Sequence, residues 1–274
     1  MKEFKGKAIY QPAGAAAEYS KWACNFFVGC SNNCQYCFLK KGIGAKVLGR
    51  QVPALKKCFK SESHAFEVFE KELKSNLTEL QKHGLLFSFT TDPMLKETIG
   101  LTLEAAIICN DNDIPIKILT KRSDWVDGFL KYGFGNEKLY AFGFTLTGHD
   151  ELELGASTNL ERIKAMEQLH DAGFKTFASI EPIIDIKSSL EMIERISDHV
   201  DLVKIGLLSG KTYLYKDLIV MAKVIIDSAK NHDYKIYFKD SFLKQSTITR
   251  EELSVFSDKC VGSDYNMFEG RDVK

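Results

Sequence analysis

Several absences narrow the reading of this 274-residue sequence. No apolar run approaches the roughly 20 residues that span a bilayer, so no membrane partner is expected. The first residues, MKEFKGKAIYQPAG, hold no apolar stretch of signal-peptide type, which predicts a cytoplasmic protein. Neither charge is in excess: Lys plus Arg and Asp plus Glu both number 37. A balanced chain has no general electrostatic pull on nucleic acid. Only the basic run 40–60 offers a local patch, and it reads first as solvated surface. There is no Ser/Gly/Pro-rich linker and no low-complexity tract. One domain over 1–274 is therefore expected, with a core at about 22–240 and a C-terminal extension over 241–274. The seven cysteines are an odd number, and in a reducing compartment they read as free, metal-bound or catalytic rather than disulfide-bonded.

What is present is an alternation of two patterns. Apolar, β-rich runs predict strands at Cys24–Val28, Leu85–Thr90, Ile116–Thr120, Leu139–Leu146, Phe174–Ile180, Leu202–Leu207 and Lys235–Phe238. Helical periodicity fills the gaps at Ser63–Lys82, Leu101–Asn110, Trp125–Tyr132, Asn159–Asp171, Ser188–Ser197 and Tyr215–His232. His83-Gly84 and Ala172-Gly173 read as helix stops, and Thr158 with Glu161 as a capping box. Repeated strand–helix–strand units predict an α/β fold, a partial or complete parallel (β/α) barrel of about six to seven strands. Chemistry in such folds gathers at the C-terminal strand ends.

Three cysteines crowd the loop after the first strand. In GCSNNCQYCF, Cys30, Cys34 and Cys37 follow the spacing C-x3-C-x2-C. A structural zinc takes four ligands, commonly as two paired knuckles. Cys24, Cys58, Cys109 and Cys260 are scattered and supply no second pair. Three thiolates suit a [4Fe–4S] cluster with one iron left open to an outside molecule. Two alternatives stand beside that reading. One is a non-catalytic, metal-binding nucleic-acid-binding or regulatory module whose zinc takes an outside fourth ligand. The other is an iron–sulfur electron carrier, disfavoured because carriers close all four iron sites and need no barrel.

C-x3-C-x-aromatic-C after a first strand resembles the signature of radical S-adenosylmethionine (SAM) enzymes. The resemblance implies that SAM chelates the open iron and is reductively cleaved to a 5′-deoxyadenosyl radical. That radical abstracts hydrogen from a substrate. A flavodoxin- or ferredoxin-type reductant is implied as well. Tyr36 would lie beside the adenine. From about Cys24 to Gly210, the stretches FSFTTDP, ILTKRSDWVD and FGFTLTGHDELELGASTNLERIKAMEQLHDAGFKTFASIEPII are similar to the spore photoproduct lyase branch and its phage-associated and uncharacterised relatives.

Carried over by position, Thr90, Thr91 and Asp92 would meet the amino end of SAM, in place of the Gly-Gly-Glu-like segment usual in the family. Lys121 would reach the SAM carboxylate or a ribose oxygen. Thr145 and Thr147 would contact the ribose or carboxylate. Glu181 would sit near the adenine or the substrate, as a catalytic candidate beside the three cysteines. Phe89 stands where spore photoproduct lyase carries its hydrogen-donor cysteine, so thymine-dimer repair is not expected. Lys204 on the sixth strand, and Lys239 and Asp240 after the seventh, are the possible partners of Glu181. Glu181, Lys204 and Lys239 are expected to line a cavity for a polar or anionic substrate, with a nucleic acid or nucleotide as the class the resemblance favours and a peptide as the other.

Overall fold

In the computed structural model, which describes residues 4–42, 44–133 and 135–269, the apolar runs become strands and the amphipathic segments helices. The chain forms two compact units. The first takes the described residues of Met1–Ala141, Leu152–Ser157 and Phe268–Lys274; the second takes Phe142–Glu151 and Thr158–Met267.

In the first unit the strands are β1 (Ile9–Tyr10), β2 (Ala23–Cys24), β3 (Phe27–Val28), β4 (Ala54–Leu55), β5 (Leu85–Phe87) and β6 (Ile116–Thr120). The helices are α1 (Ala45–Leu48), α2 (Glu62–Ser75), α3 (Leu77–His83), α4 (Ile99–Asp111) and α5 (Val126–Tyr132). Strands run in the order β1-β2-β5-β6. β1 is antiparallel to β2, while β2, β5 and β6 are parallel. β3 and β4 form a separate antiparallel pair. Helix α2 buries Ala65, Phe69 and Leu73, a four-residue spacing that makes one apolar stripe. Phe69 touches Phe26 and Phe87, with ring centroids 5.5 and 6.4 Å away. Burying each of these rings contributes about 1.5–3 kcal/mol.

The second unit holds most of β7 (Tyr140–Thr145), then α6 (Asn159–Asp171), β8 (Lys175–Ile183), α7 (Ile186–Ile196), β9 (Leu202–Leu207), α8 (Tyr215–His232), β10 (Lys235–Phe238), α9 (Asp240–Ser246) and α10 (Arg250–Phe256). Its strand order is β7-β8-β9-β10, and β8, β9 and β10 are parallel. β9 is buried along its whole length, as a strand covered on both faces must be. Thr158 and Glu161 form the expected capping box at the start of α6. The α/β class and the mostly parallel strands agree with the sequence-based expectation.

The departures have local causes. The strand expected over Cys24–Val28 breaks at Asn25, whose side chain accepts hydrogen bonds from the Phe89 and Thr90 amides instead of continuing the ladder. The helix expected over Ser63–Lys82 splits at Asn76, which ends α2 and returns its side-chain amide to the Glu72 carbonyl. β8 runs on to Ile183, and its register against β9 shifts between Ile180 and Ile183. Glu181 lies in that irregularity, the kind of local break that re-aims a side chain. The last five positions of the expected C-terminal extension, 270–274, lie outside the described residues, as does 43 within the basic run.

Candidate active site

The cysteine loop of the first unit is held by its backbone. Gly29 has φ +91°, and a Cβ there would come within 2.8 Å of the Val52 carbonyl. Its amide donates to the Thr90 carbonyl at 3.0 Å, and the Cys30 amide donates to the Arg50 carbonyl at 2.9 Å. On the other side, the Gln35 amide donates to Leu152 and the Gly155 amide to Asn32. A Cβ on Gly155 would lie 2.1 Å from the Ser31 carbonyl, so the approach requires glycine.

Asp92 is the knot beneath this loop. One carboxylate oxygen accepts from Asn32 Nδ2 at 2.6 Å and the Lys121 amide at 2.8 Å; the other accepts from Thr120 Oγ1 at 2.6 Å and the Met94 amide at 3.0 Å. Four donors fill a carboxylate's capacity. For Asp92 to meet a ligand ammonium through its carboxylate, one of these donors must leave. Thr90 is similarly engaged, its hydroxyl donating to the Phe27 carbonyl at 2.6 Å. Thr91 is buried and its carbonyl accepts from Ser88 Oγ.

Lys121 and Tyr36 come together, through a residue that the sequence reading missed. Glu153, buried at 2% exposure, accepts a hydrogen bond from the Tyr36 hydroxyl and lies 3.4 Å from the Lys121 ammonium. The ammonium sits 5.5 Å from the centre of the Tyr36 ring. A lone buried carboxylate is costly unless paired. The signal lay in the stretch ELELG: an acidic residue at alternate positions just before a glycine, in a loop after a strand.

The loop fits the cluster that the resemblance implies on three counts. First, Cys30, Cys34 and Cys37 lie on one short, pinned segment, none of them in a disulfide, and Cys34 is buried. Burial, reinforced by the Asp92 charge, pushes the Cys30 thiol up to about 12, while the amides of Asn32 and Asp92 favour its thiolate. Such a thiol gives up its proton to a metal rather than to water, and amides aimed at sulfur are how proteins tune iron–sulfur ligands. Second, Asn32 Oδ1, between the first two cysteines, is buried with no hydrogen-bond donor. An acceptor left so costs about 1–3 kcal/mol, so this position suits a donor-bearing ligand. Third, among the described residues the one set of His, Cys, Asp and Glu ligand atoms within 4.8 Å of one another lies elsewhere. At least one pair of the three sulfurs thus lies more than 4.8 Å apart, beyond the roughly 3.8 Å that a tetrahedral zinc with bonds of about 2.3 Å would set. By contrast, Cys24 and Cys109 are core residues whose thiols burial pushes well up.

The second unit carries the remaining candidates. Thr147 is fully buried; its amide donates to Asn159 Oδ1 and its hydroxyl accepts from the His149 amide, so it shapes the turn into α6. Thr145 is buried and its carbonyl accepts from Arg162, a guanidinium with no exposed side-chain surface. Glu181 and Lys239 form an ion pair at 2.6 Å, with the lysine side chain 1% exposed. A Cβ on Gly206 would lie 2.7 Å from Glu181 Cδ, so β9 leaves room for the carboxylate by carrying glycine there. Lys204 is buried with its ammonium 5.1 Å from the Tyr237 ring centre. Asp240 is exposed and paired with Arg250.

Comparison with known proteins adds the family. The Radical SAM superfamily model matches residues 24–196, more than half of the chain. A single-residue mutant of spore photoproduct lyase superposes with a TM-score of 0.59 at 15% identity, covering 83% of this chain and 78% of that one. A mutant of the same enzyme with dinucleoside spore photoproduct gives 0.55 at 17% identity, covering 78% and 62%. Streptococcus suis SuiB, bound to precursor peptide SuiA, gives 0.51 at 14% identity, covering 80% of this chain and half of that one. At these identities the likeness is one of fold. No curated protein matches the sequence. With its three-cysteine loop lying within the matched segment, the chain belongs to the radical SAM superfamily.

Proposed function

We propose that this protein is a radical SAM enzyme acting on a polar or anionic substrate, of the nucleic acid or nucleotide class. Membership of the superfamily implies a [4Fe–4S] cluster and SAM. When bound and reduced, these supply hydrogen-atom abstraction. Cys30, Cys34 and Cys37 would hold the cluster, leaving one iron for SAM. The observation that carries the reading is the cysteine loop itself: three thiols on a backbone pinned from both sides, above the Asp92 knot. Glu153 orients Tyr36 and Lys121, the pair assigned here to the adenine and to the SAM carboxylate or ribose. Asn32 Oδ1 is the acceptor with capacity to spare for an ammonium. A flavodoxin- or ferredoxin-type protein would deliver the electron.

The substrate class rests on the second unit. Glu181 and Lys239 pair near the C-terminal ends of β8 and β10, where such folds do their chemistry, and Lys204 lies on β9 between those strands. By their positions in the family pattern, Thr145 and Glu181 are assigned to SAM contacts. The dinucleoside ligand of one structural neighbour favours a nucleotide over the peptide that another holds. Phe89 packs edge-on to Tyr19, with ring centres 6.1 Å apart, and offers no thiol hydrogen, so the product hydrogen must come from elsewhere.

The test is anaerobic reconstitution followed by incubation with SAM and dithionite. The expected protein is brown, holds about four irons per chain and releases 5′-deoxyadenosine. Cys30→Ala, Cys34→Ala and Cys37→Ala should each abolish that release. A colourless zinc protein, or no 5′-deoxyadenosine from a fully loaded one, would overturn the reading. For the substrate, Lys204→Ala should impair turnover of the oligonucleotide or nucleotide while sparing SAM cleavage in its absence; loss of both together would refute the substrate role.

A further inference from the structure

The second unit carries a group of metal-ligating side chains that radical chemistry does not use. His170 and Asp171 close helix α6, and His199 stands in the turn between α7 and β9. One ligand atom from each lies within 4.8 Å of the others. Asp171 Oδ1 is 4.0 Å from Nδ1 of His170 and 4.0 Å from Nδ1 of His199. The two rings meet edge to face, their centres 5.8 Å apart.

We propose that His170, Asp171 and His199 bind a zinc-class divalent ion. The donor set is two imidazoles and a carboxylate, a set that zinc accepts, with water completing the tetrahedron. Tetrahedral zinc with bonds of about 2.0–2.1 Å needs its nitrogen and oxygen ligands roughly 3.3 Å apart. The two 4.0 Å separations, and a His170–His199 separation of at most 4.8 Å, therefore close by about 0.7 Å to at most about 1.5 Å, within reach of side-chain torsions on a half-exposed surface.

Two features pre-organise the site. The backbone of His199 is fixed at both ends: its amide donates to the Ile196 carbonyl at 2.9 Å, and its carbonyl accepts from Thr176 Oγ1 at 2.7 Å. Glu167 lies one turn before His170 on α6, and its carboxylate is 3.9 Å from Nε2 of His199, the nitrogen facing away from Asp171. Drawn in to hydrogen-bond distance, a carboxylate behind a ligand imidazole is the arrangement that orients metal-bound histidines. Asp171 precedes β8 and His199 precedes β9, so the site lies at the N-terminal strand ends, where such folds store stability rather than chemistry. The ion would staple the end of α6 to the entry of β9.

The test is titration of the cluster-loaded full chain with Zn2+ alone, anaerobically, by calorimetry with iron release followed in parallel. About one Zn2+ per chain should bind without displacing iron. His170→Ala and His199→Ala should each weaken binding at least tenfold. Glu167→Gln should weaken it about tenfold as an orienting residue. Zn2+ at about 100 times Kd should raise the unfolding temperature on the order of 5 °C in the parent protein and not in His199→Ala. SAM cleavage should be the same in all of these variants, so failure here is distinct from failure of the proposed activity. No binding, binding matched by iron loss, or equal affinity in the histidine variants would each overturn the site.

Discussion

Replacing Asp92 with asparagine is the sharpest probe of the cysteine loop's foundation. The substitution keeps the shape and removes the charge, and it turns one acceptor oxygen into a donor. On the Oδ2 side, Asn32 can turn its amide over and present its unpartnered Oδ1, but the Lys121 amide cannot reverse. On the Oδ1 side, the Thr120 hydroxyl can rotate, but the Met94 amide cannot. Either orientation sets one buried backbone N–H against a donor, at about 1–3 kcal/mol. The other bonds lose their charge assistance, about 1 kcal/mol each, and a turned Asn32 recovers roughly one bond. The net loss should be about 3 kcal/mol. Urea unfolding followed by tryptophan fluorescence measures it, because Trp22 and Trp125 both belong to the unit that holds Asp92. Thr120→Val, which removes one donor, should lose about 1–2 kcal/mol. The Asp92→Asn variant should also retain less iron after reconstitution. A stability within about 0.5 kcal/mol of the parent would refute the four-donor account, since that is the spread of neutral surface changes.

Gly155→Ala should lower iron per chain, because its methyl would push the Ser31 carbonyl and with it the cysteine loop; unchanged iron content would show that the segment yields freely. Lys239→Met should destabilise the protein by about 3 kcal/mol by stranding the Glu181 carboxylate, and Lys239→Met with Glu181→Leu should recover most of the loss, as thermal unfolding would show. His149 supplies a pH signature. Burial opposes its charge, but hydrogen bonds and charge from Glu151 and Asp185 outweigh that and raise its pKa above 6.5. A raised folded-state pKa stabilises at low pH: the contribution is complete below about pH 6.5 and fades as pH rises through the folded value. Burial alone would raise Asp185, but the Ser188 amide and hydroxyl and His149 hold it at about 2. That contribution is present above about pH 4 and is lost as pH falls toward 2. His149→Gln should therefore flatten the decline in stability above pH 6.5, as denaturation across pH would reveal.

The sequence was most legible where one force dominates. β6, β9, β10, α6 and α8 have the expected limits because each is an uninterrupted apolar or amphipathic run with clear ends. It was least legible where side chains replace the backbone ladder, as Asn25 does at the end of β2 and Asn76 does between α2 and α3. The cysteine triplet was readable because its chemistry is local in sequence. Glu153 was not, because its partners Tyr36 and Lys121 lie 117 and 32 positions away, and a carboxylate in ELELG looks solvated until the fold buries it. Asp92 stood out in the sequence only as a contact for the amino end of SAM; its four donors come from segments as distant as Asn32 and Thr120.

The first unit is not one continuous stretch of chain. Leu152–Ser157 belongs to it, although the residues on either side of that segment are counted in the second unit. A fragment ending at Ala141 would therefore carry every cysteine of the triplet and still lack Glu153 and Gly155. Tyr36 and Lys121 would lose their shared carboxylate, and Asn32 the amide that closes its loop. Cutting the gene at the apparent boundary would yield a piece that holds the ligands without the scaffold that aims them. A rearranged chain that fuses 152–157 onto that fragment would restore the loop's supports from that segment.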